Sequence, residues 1–498
     1  MKIVLPLVLA IVFYVFVRLS GAADSCLFFD EVFSVHAATL DWKELFWFVA
    51  QDLIHPPLFY VLLKIWISIG GESLIWLRLF SVFWVTLAIL PFVMLSRELN
   101  FTNFQTLIAL ILIAANGSLI KYAQEVRMYG VLFCFALFSI WIFARYLHSK
   151  SSVYSLFAVN VLLVHTHYFG WLIVFSQLCV VCVFGREKLK SFAVHFVSLI
   201  LIFGVWIRAV ILAKAQNELF AQNLGWAGKP NLSSLWQLFL SLHEPFYFQK
   251  LNIEPTNLLL ISIPIALICA TAIFLMLWRK SSDKAQTDKS ILILAFFVVA
   301  PVSVAFVASW ILPYSIWGMR HLTIVFAPYF MIAAVAISRT HKILVAPILI
   351  LIVVGGIFHF TREKPAFIYC AWENLAEKAV ESDEKDAVKI YAFEDLVAYH
   401  LWFATRNDAR LKVIAIKDAP EMPEDKAYFL PRGFDSVQIA DESVIDGERF
   451  WLAFRDKKFD ANKPLFRELT AKGYRFKTQS QFDANGTTAF LILAEKGE

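Results

Sequence analysis

Charge is scarce in this 498-residue chain: Asp, Glu, Lys and Arg make up 17% of it, against roughly 25% in an ordinary soluble domain. That leaves too few polar side chains to cover a water-facing surface of this size. Glycine and cysteine are sparse too, at 18 and 6 residues, which excludes a collagen repeat and a small disulfide scaffold. Disorder is excluded by what is present instead. The chain is 59% hydrophobic with 48 Phe and 16 Trp, and its mean hydropathy is +0.65. These quantities describe a multi-span membrane protein.

Charge is also uneven. Residues 362–498 hold 21 Lys and Arg against 25 Asp and Glu, a net of −4, whereas residues 1–361 hold 24 against 15, a net of +9. The sequence therefore divides into a transmembrane domain, 1–360, whose outer loop 21–76 carries an acidic pair, and a soluble α/β domain, 361–498. Basic residues are scattered over short loops rather than gathered into a patch, so no nucleic-acid partner is expected.

Eleven apolar runs approach the ~17–25 residues that cross a bilayer. They are Ile3–Val17, Leu77–Leu95, Phe104–Ile120, Met128–Tyr146, Val153–Val164, Phe169–Phe184, Phe192–Leu212, Leu258–Trp278, Ile291–Leu312, Leu322–Ile337 and Ile343–Phe360. Alternate loops carry Arg97; Arg145, His148 and Lys150; Arg186, Lys188 and Lys190; Arg279, Lys280, Lys284 and Lys289; Arg339, His341 and Lys342. Short basic loops stay in the cytoplasm, and Lys2 puts the N-terminus there too. Eleven spans then leave the soluble domain outside, in the periplasm or its equivalent.

The remaining ionisable groups converge on the opposite face, and charge near a bilayer usually marks function. Phe28-Phe29-Asp30-Glu31 sets adjacent carboxylates beside aromatics, where partial desolvation would make one of them a proton acceptor; a solvated acidic turn is the plainer alternative. His55-Pro56-Pro57 fixes a histidine ahead of an interfacial helix, Leu58–Ile69, unless the histidine is incidental to a helix start. Lys121, Glu125, Arg127 and Tyr129 lie on a short connection between spans. There Arg127 either grips a phosphate with its planar fork or snorkels to the interface and pairs with Glu125. His165-Thr166-His167-Tyr168 caps the next two spans, suited to interfacial hydrogen bonding or to contact between His167 and a phosphate. Arg320 and His321 close the set.

The order and spacing of these motifs resemble the bacterial membrane glycosyltransferases of the GT-C class, of the family 39 type related to protein mannosyltransferases and aminoarabinose transferases. The resemblance rests on Phe29-Asp30-Glu31, His55-Pro56-Pro57-Leu58-Phe59-Tyr60, Leu77-Arg78-Leu79-Phe80-Ser81, Tyr122-Ala123-Gln124-Glu125-Val126-Arg127-Met128-Tyr129 and Thr166-His167-Tyr168-Phe169. It covers roughly residues 1–340. Gly318-Met319-Arg320-His321-Leu322 departs from the Pro-Arg-Tyr-Leu-like pattern of such proteins but keeps the arginine.

The resemblance implies a GT-C-like helical membrane fold and an inverting transfer of a sugar from a polyprenyl-phosphate carrier to a glycan, lipid or protein acceptor. It implies Asp30 as general base with Glu31 beside it, and Arg127, Arg320 and Lys121 on the donor phosphate. His55, Glu125, Tyr129 and His167 are the substrate-binding candidates. Related enzymes differ over a divalent metal, for which Glu31, His55 and His167 are the candidate ligands. A transporter or lipid flippase, or a polyprenyl-dependent glycan ligase, is the competing reading; transporters, however, place polar sites at the midplane of repeated halves, and no repeat is visible here.

In the tail, Val388–Phe393, Leu411–Ile416, Ala427–Leu430, Phe450–Phe454 and Thr488–Ala494 read as strands. Leu396–Thr405 and Pro464–Lys472 read as helices, with Gly473 a C-terminal stop. Cys134, Cys179, Cys182 and Cys269 fall in spans as small apolar residues. Cys26 and Cys370 both face an oxidising side, where they are able to pair, but nothing in the sequence fixes their separation.

Overall fold

The computed structural model describes residues 4–214, 228–248, 259–278, 285–362, 366–382, 388–422, 428–484 and 486–497. Lys2, Ile3, Leu258, Arg279, Lys280, Lys284 and Ala427, with much of the loop 213–257, lie outside the described residues. The chain forms two compact units. One draws on Met1–Ala23, Ala38–Phe248 and Pro255–Arg362, the other on Asp24–Ala37 and Glu363–Glu498. The segment bearing Asp30 and Glu31 thus belongs to the second unit.

In the first unit, all eleven apolar runs fall on helices. Among the described residues, seven helices are long and apolar enough to cross a membrane: Leu74–Glu98, Tyr129–Leu147, Arg186–Lys214, Leu259–Trp278, Asp288–Ile311, His321–Thr340 and Lys342–Thr361. The other four runs form helices of 13 to 16 residues: Val4–Leu19, Asn103–Ala115, Val153–Thr166 and Gly170–Phe184. The stretch read as an outer loop contains the helices Trp42–Asp52 and Leu58–Gly70.

One run departs from expectation. Phe104–Ile120 is not continuous but breaks at Asn116 between Asn103–Ala115 and Gly117–Gln124. The Asn116 side chain accepts from Leu119 N–H at 3.0 Å and donates to the Ser241 carbonyl at 2.8 Å, so it caps the second helix instead of continuing the first. A bridge between Asn116 and Pro245 brings the incoming strand so close that a Cβ on Gly117 would lie 2.0 Å from the Phe246 carbonyl oxygen. Only glycine fits there.

Buried polar groups in this unit are tied together. Ser139, Asn160, Gln177 and His195, from four helices, form a closed knot: Ser139 Oγ donates to Asn160 Oδ1 at 2.6 Å, Asn160 Nδ2 to Gln177 Oε1 at 2.8 Å, and Gln177 Nε2 to Ser139 Oγ at 2.7 Å. Asn160 Nδ2 also lies 3.1 Å from His195 Nε2. Such cross-helix bonds hold helices together where lipid offers no polar alternative. Arg18, fully buried, sits on the Tyr14 ring and donates to the carbonyls of Ile113 and Ala114 at 3.1 and 3.2 Å.

The second unit is built on a six-stranded sheet: β1 (Val388–Ala392), β2 (Leu411–Ile416), β3 (Gln438–Ala440), β4 (Arg449–Asp456), β5 (Tyr474–Ala484) and β6 (Thr487–Lys496), in the order β3-β2-β1-β4-β6-β5. The first four in that order are parallel, and β6 and β5 run antiparallel at the edge. Alternation splits the apolar side chains between two cores. Ile390, Ala392, Trp451 and Leu491 pack under the helices Ala371–Ser382 and Asp395–Thr405, while Tyr391, Phe450, Phe454 and Ile492 pack on the helix Pro464–Ala471. Gly473, at φ +89°, stops that last helix as expected.

The expected strand at Ala427–Leu430 does not form in its described part. Tyr428 and Leu430 pack against the core from a loop outside the sheet, and Pro431 removes the next donor a ladder would need. The structure adds β3, β5 and the helix Ala371–Ser382, and it pairs Cys26 with Cys370.

Candidate functional site

The connection 121–129 is held from several sides in the first unit. Arg78 Nη1 donates to the Gln124 carbonyl at 2.7 Å, and Ser81 Oγ to the Glu125 carbonyl at 2.5 Å. Gln124 Nε2 donates to the carbonyls of Ser20 and Arg18 at 2.8 and 3.1 Å. A guanidinium on a carbonyl is a strong bond inside a helical bundle, so Arg78 and Ser81 fix the backbone just ahead of Arg127. Lys121 lies 3.7 Å from Glu125 and also over the rings of Tyr122 and Tyr247.

Around Arg127 the structure gathers a basic, aromatic cluster. The rings of His55 and His167 are 5.4 Å apart, and those of His167 and His321 are 5.0 Å apart. The Tyr129 ring lies 6.3 Å from His167 and 6.1 Å from His321. Arg127, His55, His167 and Tyr129 are buried, while Arg320 and His321 are half-buried. His55 Nδ1 lies 3.5 Å from Asp52 Oδ2, which gives the cluster a carboxylate on one flank. A narrow apolar crevice adjoins Tyr129 between Tyr14, Leu119, Tyr122 and Phe133.

His167 defines the chemistry. It ends the helix Val153–Thr166 in an extended conformation, and its Nδ1 accepts from the Phe169 backbone N–H at 3.0 Å. Burial first, then the charges of His55, Arg127 and Arg320, hold it well below the ordinary histidine range, so the ring is neutral at pH 7. With Nδ1 accepting, the neutral ring carries its proton on Nε2. That Nε2 is buried and has no hydrogen-bond partner among the described residues; His321 Nδ1 is likewise buried without one. A buried donor without a partner is costly, and here it stands among guanidinium groups. The arrangement suits an oxyanion with several oxygens, such as a phosphate.

The acidic pair is placed in the second unit, on the helix Phe29–Thr39. Glu31 is fully buried and its Oε2 accepts from Phe28 N–H at 3.0 Å, closing the first helical turn. Asp30 is half-buried, and its carbonyl accepts from Ser34 Oγ at 2.8 Å. The two carboxylates therefore differ: Glu31 is buried and caps its own helix, whereas Asp30 is half-buried. Around them, His36 Nδ1 is 2.8 Å from the Tyr399 hydroxyl, and burial with the nearby Arg406 pushes it down to about 4.

The candidate metal ligands Glu31, His55 and His167 are divided between the units. Among the described residues, no group of three or more His, Cys, Asp or Glu is arranged to hold a metal ion. His321, Asp52 and Arg78 are members of the cluster or its support to which the sequence reading gave no role. The signals were present: His321 follows Arg320, and Asp52 stands three residues before His55.

No protein-family model and no curated protein matches the sequence. Among solved structures, the chain is similar to ArnT from Cupriavidus metallidurans in the apo state, with TM-score 0.56 and 11% identity over 99% of this chain and 97% of that one. It is also similar to the same protein bound to undecaprenyl phosphate, with TM-score 0.53 and 12% identity over 93% and 97%. The chain thus has the GT-C membrane fold, with a C-terminal sheet domain, that its motifs led us to expect.

Proposed function

We propose that the chain is an inverting glycosyltransferase that moves a sugar from a polyprenyl-phosphate carrier to an acceptor at the outer face of a bacterial plasma membrane. The observation that carries this reading is the neutral, donor-bearing His167 with its unmet Nε2 beside Arg127 and Arg320. The likeness to a protein that binds undecaprenyl phosphate supports the same ligand class.

In the proposed reaction the acceptor oxygen or nitrogen attacks the anomeric carbon from the side opposite the phosphate. The bond from that carbon to the phosphate oxygen breaks, its electron pair stays on the phosphate, and the acceptor proton passes to Asp30. Phosphate leaves without help from a strong acid, provided that its growing charge is stabilised. Arg127 and Arg320, with the His167 N–H, supply that stabilisation. Glu31 supports Asp30 through the helical turn it closes, and His55 and Tyr129 wall the phosphate pocket. The acceptor is a glycan, lipid or protein.

The test uses purified protein in lipid nanodiscs. Losing one such donor costs about 10²–10³-fold in turnover, so Arg127→Ala should transfer sugar that much more slowly and bind undecaprenyl phosphate more weakly. Unchanged donor use would return Arg127 to a snorkelling anchor. Mass spectrometry of glycolipids and glycoproteins from cells with and without the protein names the sugar and acceptor; identical profiles would count against transfer altogether.

A further inference from the structure

Residues 363–498 have no role in the reaction as written, yet they form one unit with the segment that bears the acidic pair. Three attachments fix residues 24–37 within the second unit, and they are spaced around Asp30. Cys26, four residues before it, is joined to Cys370 by a disulfide. Phe29, one residue before it, is set among Tyr399, Tyr428 and His400 at ring distances of 5.3, 5.1 and 6.2 Å. His36, six residues after it, bonds to the Tyr399 hydroxyl and lies 4.7 Å from the Trp402 ring.

Helical geometry makes this arrangement directional. Phe29 and His36 are seven residues apart and share one face of the helix. That face is turned into the aromatic socket formed by Tyr399, Trp402, Tyr428 and Phe434. Asp30, the next residue, projects about 100° around the helix from Phe29. Its own turn is closed by Glu31 on the Phe28 N–H and by Ser34 on its carbonyl. The Asp30 backbone is thus tied down on both sides, while its half-buried side chain leaves the helix at a different angle from the socket-bound Phe29.

We propose that the C-terminal unit is the positioning element for Asp30, acting through the Cys26–Cys370 bond, the Phe29 socket and the His36–Tyr399 hydrogen bond. The inference rests on the base role proposed above for Asp30. Cys26, Phe29, His36, Cys370 and Tyr399 are positioning residues in this scheme: none touches substrate, and each acts through the helix that carries the carboxylate. Cutting the attachments leaves the donor site intact and the carboxylate present but misplaced.

The experiment uses the full chain in lipid nanodiscs, compared before and after a dithiol reductant. The reagent passes two electrons and two protons to Cys26 and Cys370 and is itself oxidised to a cyclic disulfide. A C26S/C370S double variant and Phe29→Ala repeat the test without reagent. Displacing a catalytic group by about 1 Å costs on the order of 10²-fold, so turnover should fall by about 10–100-fold while the donor KM stays unchanged. Hydrogen exchange should show amides 31–37 losing protection while β1 and β4 keep theirs. Retention of either full turnover or full protection at 31–37, in both the reduced protein and the double variant, overturns the inference, even with Asp30→Asn inactive. Full turnover in Asp30→Asn instead overturns the base assignment, whatever reduction does.

Discussion

Lowering the pH from 7 to 5 should loosen the C-terminal unit, because two of its histidines are held neutral by burial. His400 is fully enclosed beside Phe29 and Tyr369, and neither ring nitrogen has a hydrogen-bond partner among the described residues. Burial, with Arg455 nearby, pushes it down to about 3, and His36 is pushed down to about 4. Both would titrate near 6.5 in an unfolded chain. Between those values the unfolded state binds more protons than the folded one, so stability is full above pH 6.5 and is lost as the pH falls toward 4 and 3.

Each group then contributes a slope of about 1.4 kcal/mol per pH unit within its window. From pH 7 to pH 5 this amounts to about 2 kcal/mol per histidine and about 4 kcal/mol for the pair, a large part of the ~5–15 kcal/mol that holds a typical domain together. His400→Phe should halve the loss. It should also raise stability at pH 7 by about 1–3 kcal/mol, because two unsatisfied buried nitrogens disappear with it. Native-state proteolysis or intrinsic-rate-corrected hydrogen exchange over β1 and β2 reads both effects. An acid slope identical in wild type and His400→Phe, or a variant weaker at pH 7, would refute the reasoning.

Asp30→Asn should abolish sugar transfer while leaving a folded membrane protein, and near-normal transfer would remove it from the base role. Gly117→Ala should fail to reach a stable fold, since its Cβ would meet the Phe246 carbonyl at 2.0 Å; an unaltered thermal midpoint in detergent would show that the helix break tolerates a side chain. Arg78→Met removes a charge-assisted bond worth about 1.5–3 kcal/mol from the Gln124 carbonyl, and should lower donor affinity without touching Arg127, with partial recovery in Arg78→Lys. Donor titrations equal to wild type would mean that the 121–129 connection holds its shape unaided.

Helix positions in the membrane part were legible because apolar length is a strong signal, and all eleven runs carry helices. The break inside Phe104–Ile120 was not, since hydropathy continues across Asn116 and the cause lies more than 120 residues away, at Ser241 and Pro245. In the tail, β1, β2, β4 and β6 announced themselves as buried apolar runs. β5 (Tyr474–Ala484) carries several polar residues at the sheet edge and was passed over. At the site, position and residue type pointed to His55, Arg127 and His167, but the tautomer of His167 depends on one backbone bond from Phe169 that no spacing rule contains. The membership of Asp30 was the least readable feature. Its neighbours Phe28 and Phe29 look like membrane-facing aromatics, whereas their rings meet Tyr369, Tyr399 and Tyr428.

The bond between Cys26 and Cys370 spans 344 residues, and this imposes an order of events on biosynthesis. At about 5–20 residues per second, a ribosome needs roughly 20–70 s after Cys26 emerges to deliver its partner. The apolar helices of the first unit can form throughout that interval, but Cys26 cannot be joined until residue 370 has been made. A product truncated before that point would therefore keep the helices of the first unit and lack this fastening of residues 24–37.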